Sequence, residues 1–176
     1  MEFEKVLYAR RSVRSYTGEK PAPEQMSALL RAAWSAPIGC AEYDRYRIHV
    51  VEDPAFLKEI ESAHGELTNL PGKAHLFGAP VLIILSTVLP GGELDNRYYS
   101  SAACMAENIT LQATALGLGS CLVWGAIRSM NKCPALLKKL GLPEGFVPVC
   151  SVCVGKTDAV LGERTVPENR IETVYV

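Results

Sequence analysis

"LDNRYYSSAACMAENITLQATALGLGS", residues 94–120, runs directly into "CLVW", residues 121–124, and the order of these pieces decides the fold. The first part is crowded with alanine and serine. Small residues on most faces let other backbones come close, so the stretch reads as a central, buried helix closed by Gly117. A strand at "SCLVW" follows. The glycines of "GLGS", residues 117–120, therefore stand after a helix and before a strand, the reverse of the order in which a glycine-rich turn cradles a dinucleotide. No G-x-G-x-x-G leads from an early strand into a helix, which excludes a simple Rossmann unit. "GLGS" reads as a helix C-cap with a tight turn, and any phosphate site has to be built from side chains.

Outward from this stretch, helices and strands alternate without an internal repeat or a low-complexity linker. In "PEQMSALLRAAWSAP" the positions Met26, Leu29, Leu30, Ala33 and Trp34 follow amphipathic helical spacing, with Pro23 suited to the first turn and Pro37 just past the end. "YRIHVVED" alternates and is β-rich, predicting a strand at about 46–51, and "DPAFLKEIESA" starts another helix behind an Asp cap. Val81–Leu85 is a candidate for a fully buried strand. A short helix at "PALLKKLGL", with Gly141 after it, and a strand at "FVPVCSVCV" complete the predicted core. The remaining tail, "GERTVPENRIETVYV", is polar and then β-prone.

With 176 residues, a formal net charge of −1, 48% hydrophobic and 21% charged residues, the chain has the composition of one soluble globular domain. A near-neutral balance argues against a generally basic, nucleic-acid-binding surface. The N-terminus alternates charge without an apolar segment, and the longest apolar run, "APVLIILSTVLP", is too short to span a bilayer. The expected setting is cytoplasmic, with no membrane or nucleic-acid partner.

Six cysteines, at positions 40, 104, 121, 133, 150 and 153, invite a disulfide or metal reading. Cys150 and Cys153 have the separation of a zinc half-site, but they lie in a predicted strand, where positions three apart point to opposite faces. No second ligand pair follows, and His49, His64 and His75 are scattered along the chain. The cysteines read as core thiols in a reducing compartment, with Cys40, in a loop, as the exception.

Near the N-terminus, "LYARRSVRSY", residues 7–16, sets three arginines and two serines within seven positions and carries no acidic residue. Guanidinium groups bind phosphate oxygens bidentately and a hydroxyl adds one further hydrogen bond. A solvated basic helix end would use the same residues to meet free carbonyls and the helix dipole.

Taken together, "ARRSVRSY", a helix ending in "SAP", the "GAPVLIIL" strand, "ALGLGSCLVWG" and the late "GERTVPENRI" resemble, in order and spacing, the nitroreductase family of flavin mononucleotide (FMN)-dependent oxidoreductases. The likeness covers nearly the whole chain, which looks like a short member. It implies an α+β fold, a three-layer α/β/α sandwich around a mixed, mainly antiparallel sheet. It implies one domain over residues 1–176, with residues 156–176 a tail packing at a homodimer interface where two flavins are shared. The implied reaction is ping-pong, from NADH or NADPH to the flavin and then to a small-molecule acceptor such as a nitroaromatic or a quinone. An FMN-binding protein with little turnover, a carrier or sensor, is the alternative.

Carried over by position, Arg10 and Ser12 would hold the phosphate, Arg11 the ribityl chain or phosphate, and Arg14 the pyrimidine edge. Arg164, three positions before Pro167, would add a second phosphate contact, with Arg170 a further candidate; an arginine on a tail is also commonly just solvated. The reactive N5 would meet a backbone amide at Trp124 or Gly125, although Trp124 is equally a candidate core aromatic. No catalytic side-chain acid and no metal ligand is implied. The loop Pro37, Ile38 and Gly39 would line the flavin. Here the chain departs from the family pattern, with Ala41 at or near an expected Asn, and Tyr43, Asp44 and Arg45 in place of Gln-Pro-Trp.

Overall fold

The structure, a computed structural model, describes residues 2–70, 75–88 and 96–176. The far end of the "APVLIILSTVLP" run and the first two residues of the 94–120 stretch lie outside them. The elements in order are α1 (Phe3–Ala9), α2 (Pro23–Trp34), β1 (Tyr46–Val51), α3 (Pro54–Thr68), β2 (Val81–Val88), α4 (Asn96–Ala115), β3 (Gly119–Leu122), α5 (Trp124–Met130), α6 (Pro134–Leu140) and β4 (Phe146–Gly155). The strands form one sheet in the order β1-β2-β4-β3. Every pairing among the described strands is antiparallel.

β2 is the centre of the molecule. Val81 to Leu85 are fully buried because both faces of the strand are covered, which is why it reads as an unbroken apolar run rather than an alternating one. Val81, Ile83 and Leu85 pack with α2 and α4, while Leu82 and Ile84 pack with α3, α5 and α6. The result is helix, sheet, helix in three layers. On β4 the same alternation sends Cys150 to the α4 side and Cys153 to the other, as the sequence requires. Burial pushes the Cys150 thiol up to about 12 and raises that of Cys153 as well, so both behave as apolar filling. The register slips between Leu85 and Ser86, where β4 passes from Cys150 to Pro148. The extra residue, Val149, joins Cys150 on the α4 side. A bulge of this kind accommodates a proline that cannot donate to the ladder.

α4 is the buried helix the small residues demand: Ala102, Ala106, Ile109 and Ala113 are inaccessible to solvent. Its end is a Schellman motif. Leu118 N–H donates to Ala113 O at 2.8 Å, Gly117 N–H donates to Thr114 O at 3.1 Å, and Gly117 sits at φ +72°, a conformation a side chain would oppose. α3 begins as expected, Asp53 Oδ1 accepting from Ala55 N–H at 3.1 Å with Pro54 behind it.

Two departures bear on the site. The strand at "SCLVW" stops at Leu122, and Trp124 opens α5, a helix the sequence reading did not contain. Ala126, Ile127 and Met130 bury that helix against α3. Trp34, expected on the buried face of α2, is 61% exposed. Among the described residues, no helix is long and apolar enough to cross a membrane.

Candidate functional site

α1 ends at Ala9, and Arg10 turns the chain into extended backbone at φ −59°, ψ 131°. The segment then docks on the open edge of β3, where Val13 N–H donates to Ser120 O at 2.8 Å and the Val13 side chain is buried. Gly119 makes this possible: a Cβ there would stand 2.9 Å from Val13 Cγ1 and 3.0 Å from Thr157 Cγ2. The apolar Val13 is thus the anchor, and it splays the polar residues on either side of it.

Arg10 reaches toward α4, its Nε 3.1 Å from Glu107 Oε1. Arg14 lies on the other side of the β3 edge, 5.8 Å over the Phe77 ring and close enough to Cys121 to oppose the rise that burial gives its thiol. Ser12 stands close enough to the same thiol to oppose that rise as well. Arg11 turns toward the tail: Nη2 donates to Gly162 O at 2.6 Å, while its Nε is buried without a partner among the described residues. Glu107, which sequence reasoning did not single out, is the one carboxylate ion-paired with the cluster among the described residues.

The tail returns to this cluster through its backbone. Thr17 N–H donates to Lys156 O, Lys156 N–H to Glu19 O, Thr157 Oγ1 to Ser15 O, and Arg164 N–H to Tyr8 O. That brings the Arg164 backbone next to the end of α1, while its side chain is exposed, as is that of Arg170.

The remaining predicted residues stand elsewhere. Four steps of extended chain, about 13 Å, separate Ser120 from Trp124. Trp124 is 57% exposed and is no core aromatic. As the first residues of α5, Trp124 and Gly125 have amides without intrahelical acceptors. With His64, Tyr99, Arg128 and Asn131 they line a cavity of about 430 Å³. Pro37 is exposed. Ile38 lines a different, apolar cavity of about 410 Å³ with Leu30, Trp34, Tyr43, Tyr46 and Met105. Gly39 N–H donates to Ser101 Oγ at 3.1 Å, and a Cβ on it would run into the Arg97 side chain. Among the described residues, no hydrogen bond or ion pair joins the 37–39 loop to the arginine cluster.

The altered loop has its own logic. Glu42 Oε2 accepts from Tyr98 OH at 3.3 Å and pairs with Arg45 Nε at 3.3 Å, while Arg97 Nη1 donates to Cys40 Sγ at 3.1 Å. Cys40 and Ala41 both adopt φ near +57°. The histidines are not all scattered in space: His64 and His75 meet edge to face with centroids 4.1 Å apart. Among the described residues no group of three or more possible ligands is placed to hold a metal.

The chain matches the model of the nitroreductase family over residues 7–156. A protein of Archaeoglobus fulgidus, provisionally named NADH dehydrogenase/NAD(P)H nitroreductase, is 31% identical over 152 residues, 86% of this chain and 83% of that one. The FMN reductase (NADPH) of Bacillus subtilis is 23% identical over 166 residues, 88% of this chain and 65% of that protein. The crystal structure of a nitroreductase with bound FMN from Bacteroides fragilis superposes with a TM-score of 0.82 at 28% identity, covering 99% of this chain and 100% of that one. A match over residues 7–156 takes in the arginine cluster, the whole sheet and every helix except the start of α1, so the chain belongs to the nitroreductase family.

Proposed function

We propose that the protein is an FMN-dependent NAD(P)H oxidoreductase that works as a homodimer. The observation that carries the reading is the run Arg10, Arg11, Ser12 and Arg14, seated on the β3 edge with Arg11 Nε buried and unpaired among the described residues, in a family with an FMN-bound solved member. An orphaned guanidinium N–H inside a cationic, hydroxyl-bearing cluster fits a phosphate monoester of about two negative charges. When bound, FMN supplies the redox chemistry, accepting a hydride from NADH or NADPH and delivering it to an acceptor such as a nitroaromatic or a quinone.

The chain's own residues bind and orient. Arg10 and Ser12 hold the phosphate, and Arg10 must loosen its pair with Glu107 to do so. Arg11, already tied to Gly162 O, has Nε and Nη1 left for the ribityl chain or phosphate. Arg14 would serve the pyrimidine edge, where a fixed cation favours the charge that develops on reduction. The free amides of Trp124 and Gly125 would serve N5, and Arg164 would add to the phosphate end. Pro37, Ile38 and Gly39 belong to a different part of the surface, which a second subunit brings into the site. Trp34 and the apolar end of the tail, Ile171, Val174 and Tyr175, are exposed, and a second copy is what covers them.

The test is absorbance of the purified protein, titration of apoprotein with FMN and with FAD, and NAD(P)H oxidation with a quinone. A yellow protein that holds FMN far more tightly than FAD and turns over supports the reading. Comparable affinities for the two flavins would sink the terminal-phosphate clamp, and bound FMN without turnover would leave a carrier. Sedimentation of a flavin-loaded monomer at every concentration would refute the dimer.

A further inference from the structure

α3 contributes one polar side chain to the Trp124–Gly125 turn. His64 Nδ1 lies 2.8 Å from Ser129 Oγ, and Ser129 Oγ donates to Gly125 O at 3.0 Å. A hydroxyl has one proton to give; with it spent on Gly125, the serine accepts from Nδ1–H, which sets the tautomer of the ring. The ring also fills the space where a side chain would be, since a Cβ on Gly125 would fall 2.6 Å from both Cε1 and Nε2. Its far side is closed by His75 in edge contact. His75 is held there because Leu76 N–H donates to Glu61 Oε1 at 2.8 Å.

We propose that His64, acting through Ser129, is a positioning residue that fixes the Trp124–Gly125 turn at the mouth of the 430 Å³ cavity. α5 has only seven residues, Trp124–Met130, too few to hold its own first turn rigid. The tie from α3 replaces that missing cooperativity. Burial, His75 and Arg128 all lower the His64 pKa, which keeps the ring neutral and its tautomer defined. The bearing of the turn on hydride transfer rests on the FMN reading above; the tie itself does not.

Three variants separate donor from ring: His64→Phe keeps a ring without a donor, Ser129→Ala removes the link, and His64→Asn restores a donor near the place of Nδ1. The first readout is amide hydrogen exchange in flavin-free protein at Arg128 and Ser129, whose N–H groups close the first turn of α5. Loss of one tie of ordinary hydrogen-bond strength should speed it about tenfold in His64→Phe and Ser129→Ala, and His64→Asn should recover most of the protection. The second readout is flavin reduction by NADH or NADPH in FMN-saturated protein. It should slow about tenfold in the same two variants, less than removing a donor outright costs, with the nicotinamide KM unchanged and with rescue by His64→Asn. Unchanged exchange in His64→Phe and Ser129→Ala overturns the proposal whatever the flavin does. Faster exchange with wild-type reduction rates overturns its place in the flavin site. A wild-type protein that binds no FMN while the exchange pattern holds would sustain the tie and fell the proposed function instead.

Discussion

Replacing Gly125 with alanine should change sign with the residue behind it. The added Cβ would stand 2.6 Å from the His64 ring, where ordinary contact begins near 3.4 Å, so the ring must retreat by about 0.8 Å. Two of its directions are closed, by the bond to Ser129 and by the ring of His75. Overpacking of this kind costs about 1–3 kcal/mol. Against it, an alanine in a helical turn is favoured over glycine by about 0.5–1 kcal/mol. Gly125→Ala should therefore destabilise by up to about 2.5 kcal/mol, centred near 1 kcal/mol, which is roughly 2–4 °C in Tm for a chain of this length. In a His64→Ala background the obstacle is gone and only the helix preference remains, so the same substitution should be neutral or stabilising by up to about 1 kcal/mol. Urea unfolding of the four flavin-free proteins at one fixed concentration measures the cycle, with equal m-values required for the comparison. An equal loss from Gly125→Ala in both backgrounds would show that His64 does not press on this glycine, and the geometry argued for the turn would be wrong.

Other outcomes follow from the arginine cluster, the loop and the histidines. Arg10→Ala should mainly weaken FMN retention, by about 1.5–3 kcal/mol for a charge-assisted contact. Arg14→Ala should keep most of its flavin, lower the midpoint potential and slow flavin reduction by about one to three powers of ten; wild-type rate and potential at saturating FMN would remove Arg14 from the pyrimidine edge. Glu107→Gln frees Arg10 from a part-exposed pair worth about 0.5–1 kcal/mol, so fluorescence titration should find FMN bound about two- to fivefold tighter; weaker binding would mean that Glu107 aims Arg10 rather than competing for it. Ala41 holds φ +56°, which asparagine adopts more readily than alanine. Ala41→Asn should gain about 0.5–1 kcal/mol in chemical unfolding, and a loss would show that the side chain at 41 is constrained by something other than its backbone. His49 and His64 both have pKa values lowered from 6.5, chiefly by burial. The folded chain therefore binds fewer protons than the unfolded one below that value, and their contribution to stability is intact above pH 6.5 and lost as the pH falls through the folded values. Unfolding free energies at pH 7.5 and 5 should show the drop, and His64→Phe should make it smaller.

Legibility in the sequence followed burial. β2 and α4 could be read because every residue of Val81–Leu85 is enclosed and because α4 meets its neighbours through alanines; composition records such environments directly. The Schellman end of α4 was legible for the same reason, Gly117 being required by its dihedral angle. α5 was missed because "SCLVWG" continues the β-like composition of β3 past the point where Val123 donates to Ser151 O and the chain turns. The spacing of Ala126, Ile127 and Met130 was the available signal. Trp34 followed the helical period yet lies in the open, since period reports which side of a helix is apolar and not what covers it. At the site, Arg10–Arg14 stood out by composition. Glu107, 97 positions beyond Arg10, and the meeting of His64 with His75 and Ser129 depend on how separate elements pack. No local pattern encodes a contact between α3 and α5.

The zipping of residues 8–19 against residues 156–164 sets a schedule on biosynthesis. The arginines leave the ribosome among the first residues made, but the backbone groups that seat them, at Ser120, Lys156, Gly162 and Arg164, are among the later ones. Adding the residues from Arg11 through Arg164, about 154 of them, takes on the order of 8–30 s at ordinary elongation rates. Through that interval the cationic segment is exposed and unseated, able to attract any polyanion within reach. Truncation just after β4 would leave a sheet that has its core but an N-terminal segment without the moorings that Lys156, Gly162 and Arg164 supply.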